Sequence, residues 1–225
     1  MERFFDITFS LLALLALSPI LLPIVVVLKL TGEREIFFLQ ERIGKNKETF
    51  KLFKFATMLK NSPNMGTGTV TMRDDPRVLP VGKFLRKTKI NELPQLLNIF
   101  FGHMSIIGPR PLTNETFNAY SLDAQRAISL VRPGLSGIGS IIFRREEDIL
   151  HGEAASIDFY SKVIAPYKGS LEQWFVANRN LYIYFMCILV TAWAVIFPRT
   201  GIAWKVFIGI PTPPEELKLM LNFKK

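Results

Sequence analysis

The sequence predicts an α/β chain, a compact and mostly helical body with short strands, attached to an apolar N-terminal membrane segment. Three observations predict it. Residues 7–28 carry no charge across 22 positions, enough for a helix to enter or cross a bilayer. Short apolar runs separated by turn residues follow at 36–55, which reads as strands. From residue 77 onward, apolar residues recur mainly at helical spacing.

A chain of 225 residues suits one domain of ordinary size plus an attached element. The formal charge is +9, which suits anionic partners such as lipid head groups or nucleotides. Nucleic acid is disfavoured, because no aromatic-rich basic repeat or finger spacing is present. Cys187 is the single cysteine, so no internal disulfide forms. With His103 and His151 the only histidines, a histidine zinc site is disfavoured too.

In the first element, Ser18-Pro19 lies at the middle of the apolar segment and Pro23 follows. Proline removes a backbone donor and clashes with the preceding turn. A kinked spanning helix and a re-entrant or interfacial helix-break-helix both fit. A cleaved signal peptide does not, since basic residues crowd directly behind the segment. Residues 29–60 hold eight Lys or Arg against four Glu, which puts this side of the membrane in the cytoplasm.

Next, 36–39 and 50–55 read as strands joined through a turn at 42–46, a hairpin. Residues 61–75 read as loop and 77–89 as basic and partly helical. Residues 91–101 carry Leu93, Leu96, Leu97 and Phe100 at helical spacing, with Asn91 as N-cap, Pro94 in the first turn and Gly102 as the stop. Residues 108–111, Gly-Pro-Arg-Pro, form a rigid turn around Arg110. Residues 115–130 read as one further helix, ended by Arg132-Pro133-Gly134. An acidic cluster lies at 144–153, and 181–197 is a second apolar run that fits a core helix and a membrane-lying helix equally.

Basic residues gather ahead of and within the 91–110 region. Arg73, Arg77, Lys83, Arg86, Lys87, Lys89 and Arg110 fall within 38 residues, against Asp74, Asp75 and Glu92. Arginine suits bidentate contact with phosphate, and a helix starting near Asn91 adds unpaired backbone donors. The set fits a pyrophosphate pocket or a patch touching anionic lipid. Glu92 fits either a dipole partner or a Mg²⁺ ligand sharing oxygens with phosphates. Asp75 fits an Asx-turn, or a carboxylate that fixes arginines. Asn91 is a neutral amide and no nucleophile for phosphorus.

These pieces, in order, resemble the bacterial sugar transferase family, the small monotopic phosphoglycosyl transferases. The resemblance runs from about Asp6 to Thr191. It includes the apolar segment broken at Ser18-Pro19, Gln40-Glu41-Arg42-Ile43-Gly44, Lys54-Phe55-Ala56-Thr57-Met58 and Asp75-Pro76-Arg77-Val78. It is densest from Asn91-Glu92-Leu93-Pro94-Gln95 through Gly102-His103-Met104-Ser105 to Gly108-Pro109-Arg110-Pro111, and continues at Val131-Arg132-Pro133-Gly134. The resemblance implies a re-entrant membrane helix at 1–30, a catalytic domain at 31–200 resting on the membrane through interfacial amphipathic helices, and a C-terminal extension at 201–225. It implies transfer of a sugar 1-phosphate from a UDP-sugar to undecaprenyl phosphate with release of UMP, at the cytoplasmic face of the bacterial inner membrane. Lys54, Arg77, Arg86, Arg110 and Arg132 would bind phosphate, and Glu92 would hold Mg²⁺. Anionic lipid of the inner leaflet, downstream glycosyltransferases and a second copy of the chain are the other expected partners.

Four positions depart from the family pattern. Asn91 stands where the attacking aspartate is expected, Ala56 where an arginine follows Lys54-Phe55, His103 where the Gly-Asp-Met-Ser motif has aspartate, and Tyr184 where an acid is expected. The Asn91 change leaves open direct attack by polyprenyl phosphate, a substitute carboxylate with Asp75 the best placed, deamidation of Asn91, or a catalytically impaired relative that binds nucleotide-sugar or lipid and assists a transferase. Residues 138–160 are expected to shape donor choice.

Overall fold

The computed structural model describes residues 1–65, 75–144, 159–197 and 200–223. Arg73, Asp74, most of the 61–75 loop, the acidic cluster beyond Arg144 and the greater part of 138–160 lie outside the described residues. The body is mostly helical with short strands, as expected. The chain divides into two compact units. The first holds Met1–Phe4, Arg42–Phe50 and His103–Lys225; the second holds Phe5–Glu41 and Lys51–Gly102.

α1 runs from Glu2 to Leu30 as one helix, with Pro19 and Pro23 inside it. It passes through Ser18-Pro19 without interruption, and the Ser18 hydroxyl donates to the Leu15 carbonyl at 2.7 Å, meeting one acceptor near the prolines. Only Asp6, Ser10 and Leu28 of this helix are buried, while Leu11, Leu12, Leu15 and Leu22 are exposed. A helix this apolar and this bare is no soluble core helix; its surface calls for lipid. Among the described residues it is the one helix long and apolar enough to cross a membrane. The chain is thus membrane-associated.

β1 (Phe37–Ile43) and β2 (Thr49–Phe55) pair as the expected hairpin. Its turn is a 3-10 segment, Lys45–Lys47, in which Asn46 takes φ 58°, a left-handed conformation that asparagine tolerates better than most. In the second unit, Leu28, Phe55 and Leu85 form a core cluster, with Leu21, Ile24, Val25, Ile36, Val81 and Ile90 packed against it. α2 (Pro80–Lys87) opens on a proline at its first position, where the missing N–H costs nothing. It lies directly on the chain leaving β2: a Cβ on Gly82 would sit 2.1 Å from the Thr57 carbonyl oxygen.

The expected helix at 91–101 is corrected by the structure. Asn91 is not its N-cap. Residues Ile90–Glu92 form a 3-10 turn, and α3 covers Gln95–Phe101 with Pro94 as N-cap. Pro94 has no N–H to give the Ile90 carbonyl and its ring crowds that carbonyl, so the α pattern cannot extend back through it. The turn tightens instead, with Leu93 N–H donating to the Ile90 carbonyl at 3.1 Å. The start of α3, and its backbone donors, are therefore displaced from Asn91. Gly102 ends α3 as expected, at φ 92°. Asn98 ties α3 to β2: its Oδ1 accepts Phe53 N–H at 2.9 Å and its Nδ2 donates to the Lys51 carbonyl at 2.8 Å.

In the first unit, β3 (Ser105–Ile107) and β4 (Gly134–Ser136) pair in parallel, Ser105 with Gly134 and Ile107 with Ser136. Between them the expected single helix at 115–130 is two, α4 (Asn114–Asn118) and α5 (Leu122–Ser129). Thr113 caps the first, and Ser121 caps the second by accepting Ala124 N–H. A hydroxyl that captures a backbone donor opens a new helix start. α6 (Ile138–Ile142) follows. A π-helical turn, Tyr160–Ile164, then leads into α7 (Ala165–Asn178); Pro166, lacking an N–H, accounts for the widened turn. Phe117, Tyr120, Ala124, Ile128 and Ala165 form the core of this part.

α8 (Leu181–Ile196) buries Ile183, Tyr184, Cys187, Val190 and Ala194 against β3, β4 and α6. Its other side is also apolar and exposed, with Leu189 at 62% and Ile196 at 69%. The second apolar run thus has one face in the core and one outside it. α9 (Ile202–Val206) and α10 (Glu215–Lys218) close the described chain.

Candidate functional site

In the second unit, the core cluster places four of the expected site residues. Lys54 precedes core residue Phe55, Arg86 follows core residue Leu85, and Asn91 and Glu92 follow Ile90, which packs on the same cluster. α2 packs directly on the Ile90–Glu92 turn. One apolar nucleus thus fixes the strand carrying Lys54, the helix carrying Arg86 and the turn carrying the amide-carboxylate pair. Lys54, Arg86 and Glu92 are half-buried. The Arg86 Nη1 lies 3.6 Å from the Met58 sulfur.

Asn91 is 8% exposed, and its Oδ1 is buried with no hydrogen-bond partner. A buried carbonyl oxygen without a donor costs about 1–3 kcal/mol. It is uncommon enough to call for an account. Lys89, at φ 60°, turns the chain out of α2 and sets the adjoining turn.

Asp75 and Arg77 behave differently. Their side chains are 3% and 5% exposed. Asp75 Oδ1 accepts the backbone N–H of Arg77 at 3.0 Å, the expected Asx-turn, and also its Nε–H at 2.9 Å. Oδ2 accepts Nη2–H at 2.6 Å. Arg77 Nη1 donates to the carbonyls of Ser62 and Met65 at 2.8 and 2.7 Å. The hydrogen bonds to Asp75, and its charge, hold the Arg77 guanidinium above its ordinary pKa. Both Asp75 oxygens are thus engaged with Arg77, and Arg77 ties the Ser62–Met65 segment to the chain leading into α2.

The first unit holds Arg110 and Arg132. Gly108 N–H donates to the Ser136 carbonyl and Gly134 N–H to the Pro109 carbonyl, each at 2.8 Å. Two glycines are required here: a Cβ on Gly134 would lie 2.1 Å from the Gly108 nitrogen. The turn bearing exposed Arg110 is thereby bound to the segment bearing half-buried Arg132.

Behind that turn lies a residue that the sequence reading passed over. Glu172, 3% exposed on α7, accepts the backbone N–H of Arg110. A Cβ on Gly139 would come within 2.3 Å of its Oε1, while its Oε2 is buried without a partner. Burial pushes the Glu172 carboxyl up to about 8, against the opposing influence of Lys168 and of the Arg110 N–H. Lys168 lies one turn away, with its ammonium 4.8 Å from the Phe143 ring centroid. A charged pair four residues apart inside an otherwise uncharged helix was the available signal.

Of the other departures from the pattern, Ala56 and Tyr184 are buried, at 6% and 2%. His103 is exposed and stacks on Phe50, with ring centroids 6.0 Å apart.

Among the described residues, no three of His, Cys, Asp and Glu gather as a metal cluster. Glu92 offers one carboxylate, and Asn91 beside it has an unmatched buried oxygen. Both are hard oxygen donors of the kind Mg²⁺ accepts when phosphates and water complete its shell, so the residues present fit such an ion.

The bare apolar helix sets the broad class, a membrane-associated protein, and the family can now be stated. The profile of the bacterial sugar transferases matches residues 1–198, and the chain belongs to that family. The family-level activity is transfer of a sugar phosphate from a UDP-sugar to undecaprenyl phosphate, phosphoglycosyl transferase chemistry. Among particular relatives, the chain is 39% identical over 159 residues to the exopolysaccharide production protein ExoY of Sinorhizobium fredii, covering 64% of this chain and 70% of the relative. It is 37% identical over 151 residues to the undecaprenyl-phosphate glucose phosphotransferase of Komagataeibacter xylinus, covering 65% of this chain and 28% of that protein. It is 36% identical over 164 residues to the UDP-glucose:undecaprenyl-phosphate glucose-1-phosphate transferase of Klebsiella pneumoniae, covering 70% of this chain and 34% of the relative. The chain therefore spans only about a third of the last two.

Proposed function

We propose that this chain transfers a sugar 1-phosphate from a UDP-sugar to undecaprenyl phosphate, releasing UMP, at the cytoplasmic face of the bacterial inner membrane. The observation that carries the reading is the shared core of the second unit, which fixes Lys54, Arg86, Asn91 and Glu92 through their immediate neighbours Phe55, Leu85 and Ile90. Lys54 and Arg86 neutralise donor phosphates; Arg110 and Arg132, tied to each other through the glycine contacts, offer a second cationic pair. Asp75 serves by fixing Arg77, since both its oxygens are already engaged; Arg77 in turn holds the loop before α2 rather than meeting phosphate itself. Glu92, with the Asn91 oxygen beside it, would hold Mg²⁺, which when bound supplies positive charge to phosphate oxygens. A neutral amide cannot form an acyl phosphate. The transfer then runs as a single displacement: an oxygen of undecaprenyl phosphate bonds to the β-phosphorus of the donor, the bond from that phosphorus to the bridging oxygen breaks, and UMP leaves with the bond's electrons.

The membrane part of the reading is a re-entrant α1, entering and leaving by one leaflet. Ser18-Pro19 at the middle of the apolar segment, with Pro23 after it, supports a bend there, since proline weakens the helix on either side of it.

The test supplies purified protein in bilayer discs with a panel of UDP-sugars, Mg²⁺ and undecaprenyl phosphate, and measures UMP and sugar-linked lipid. Product with one donor is expected; no product with any donor sinks the enzyme reading. Asn91 favours a second reading, a relative that binds nucleotide-sugar or lipid and assists a complete transferase. In that case UDP-sugar binds, by calorimetry, without turnover.

A further inference from the structure

The C-terminal segment lies beyond the family match, which ends at residue 198, yet residues 200–223 are folded onto the first unit. Tyr167 Oη donates to the Pro211 carbonyl at 2.9 Å, and Trp204 Nε1 donates to the Leu221 carbonyl at 3.3 Å. Phe207 and Leu217 are 1% and 0% exposed, and Phe207 meets Trp174 edge to face. These inward residues account for the folding of the segment. They do not account for Ile208 at 92% and Leu219 at 93% exposure, two large apolar side chains left almost wholly outside.

Scattered apolar residues on a surface need no explanation; these two belong to a segment whose helix α9 packs on α8, and the outer side of α8 is itself apolar. The outer side of α8 exposes Tyr182, Leu189, Trp193 and Ile196, spaced seven, four and three residues apart, hence on one side of the helix. The tail returns to the end of that helix. The Asn222 carbonyl oxygen would lie 2.6 Å from a Cβ on Gly201, and Trp193 Nε1 donates to Thr200 Oγ1 at 3.2 Å. At its other end α8 begins two residues after Arg179, the partner of Glu2 in the first turn of α1. The exposed face therefore starts where the membrane helix starts. Residues 198–225 carry Arg199, Lys205, Lys218, Lys224 and Lys225 against Glu215 and Glu216. Apolar residues flanked by net positive charge and aromatic rings suit the boundary of an anionic leaflet.

We propose that residues 200–223 extend the outer face of α8 into a lipid-binding surface that lies on the anionic bilayer, with Ile208 and Leu219 inserted among the acyl chains. This goes beyond the transferase reading and does not depend on turnover. It rests on α1 being in the membrane, which flotation of the protein with vesicles checks separately.

The test labels full-length Ile208→Cys and Leu219→Cys variants with a small fluorophore; native Cys187 is buried. Each is reconstituted in vesicles of phosphatidylethanolamine and phosphatidylglycerol, with or without bromine on the acyl chains. Brominated lipid is expected to quench both labels several-fold more than a label at the exposed Glu115→Cys position. Labels unquenched by lipid but open to aqueous iodide would place the segment in solvent. Labels protected from both would place a second copy of the chain on it. Either result, or quenching at only one of the two sites, overturns the proposal.

Discussion

Asp75 and Asn91 lie in one unit and are buried alike, at 5% and 8% exposure, but their hydrogen bonding is opposite. Asp75 has both oxygens taken by a single arginine, which in turn grips two carbonyls of another segment. Asn91 has a buried oxygen that nothing donates to. A saturated buried group is part of the scaffold, and removing one partner strands the other. An unsaturated one opposes folding and calls for a further partner, whether water, an ion or a ligand. The one is a carboxylate whose bonds hold neighbouring segments together; the other is a buried oxygen with capacity to spare.

The largest effect expected from breaking this contrast is on turnover. Asn91→Asp puts a carboxylate where the oxygen is already unclaimed, and UMP release should rise on the order of 10²-fold or more. A phosphosugar adduct at residue 91, found by mass spectrometry, would show that the covalent route had been restored. An unchanged rate would mean that residue 91 does not face the reacting phosphorus. Next in size is Asp75→Ala, which leaves the Arg77 guanidinium buried without its carboxylate. The thermal midpoint should fall by many degrees, with UDP-sugar binding lost only as folding is lost. A variant that folds normally yet cannot turn over would instead give Asp75 a chemical role.

Glu172 offers an intermediate case, one oxygen engaged and one not. Its folded-state pKa, about 8, lies above the ordinary carboxyl value of 4.5. The folded state therefore holds the proton more tightly, and its contribution is fully present below about 4.5. It is lost as pH rises through about 8. Wild type should melt lower at pH 8.5 than at pH 6, and Glu172→Gln, which cannot ionise, should flatten that difference. An equal slope in both proteins would mean that other groups carry it. The smallest effect is expected for the stability of Asn91→Ala. Removing the unpartnered oxygen lifts a desolvation cost of about 1–3 kcal/mol, and the packing lost with the rest of the amide offsets it, leaving a net change below about 1 kcal/mol, measured by denaturant unfolding.

Much of the second unit was legible because its signals are local. The hairpin at 37–55, α2 with its leading proline and the Gly102 stop all follow from residues within a few positions of each other. The start of α3 was misread because Asn91 is a good cap by type, whereas Pro94 decides by geometry which carbonyl goes unbonded. Strands β3 and β4 have three residues each, too few to show a period, and they pair across an intervening pair of helices. The split between α4 and α5 turns on one serine hydroxyl capturing Ala124 N–H. The candidate site residues come from the motif resemblance; Glu172 does not, because its contact with Arg110 crosses some sixty positions. A buried acid in a helix looks like any surface acid until its neighbours are placed.

The missing side chain at Gly82 has a mechanical consequence. No atom larger than hydrogen fits between α2 and the Thr57 carbonyl, and Leu79 N–H clamps that same oxygen at 3.0 Å. The strand that presents Lys54 and the helix that presents Arg86 therefore cannot slide past one another. Under the function proposed above, a phosphate drawn toward one cation would pull on both, like a lever without play at its pivot.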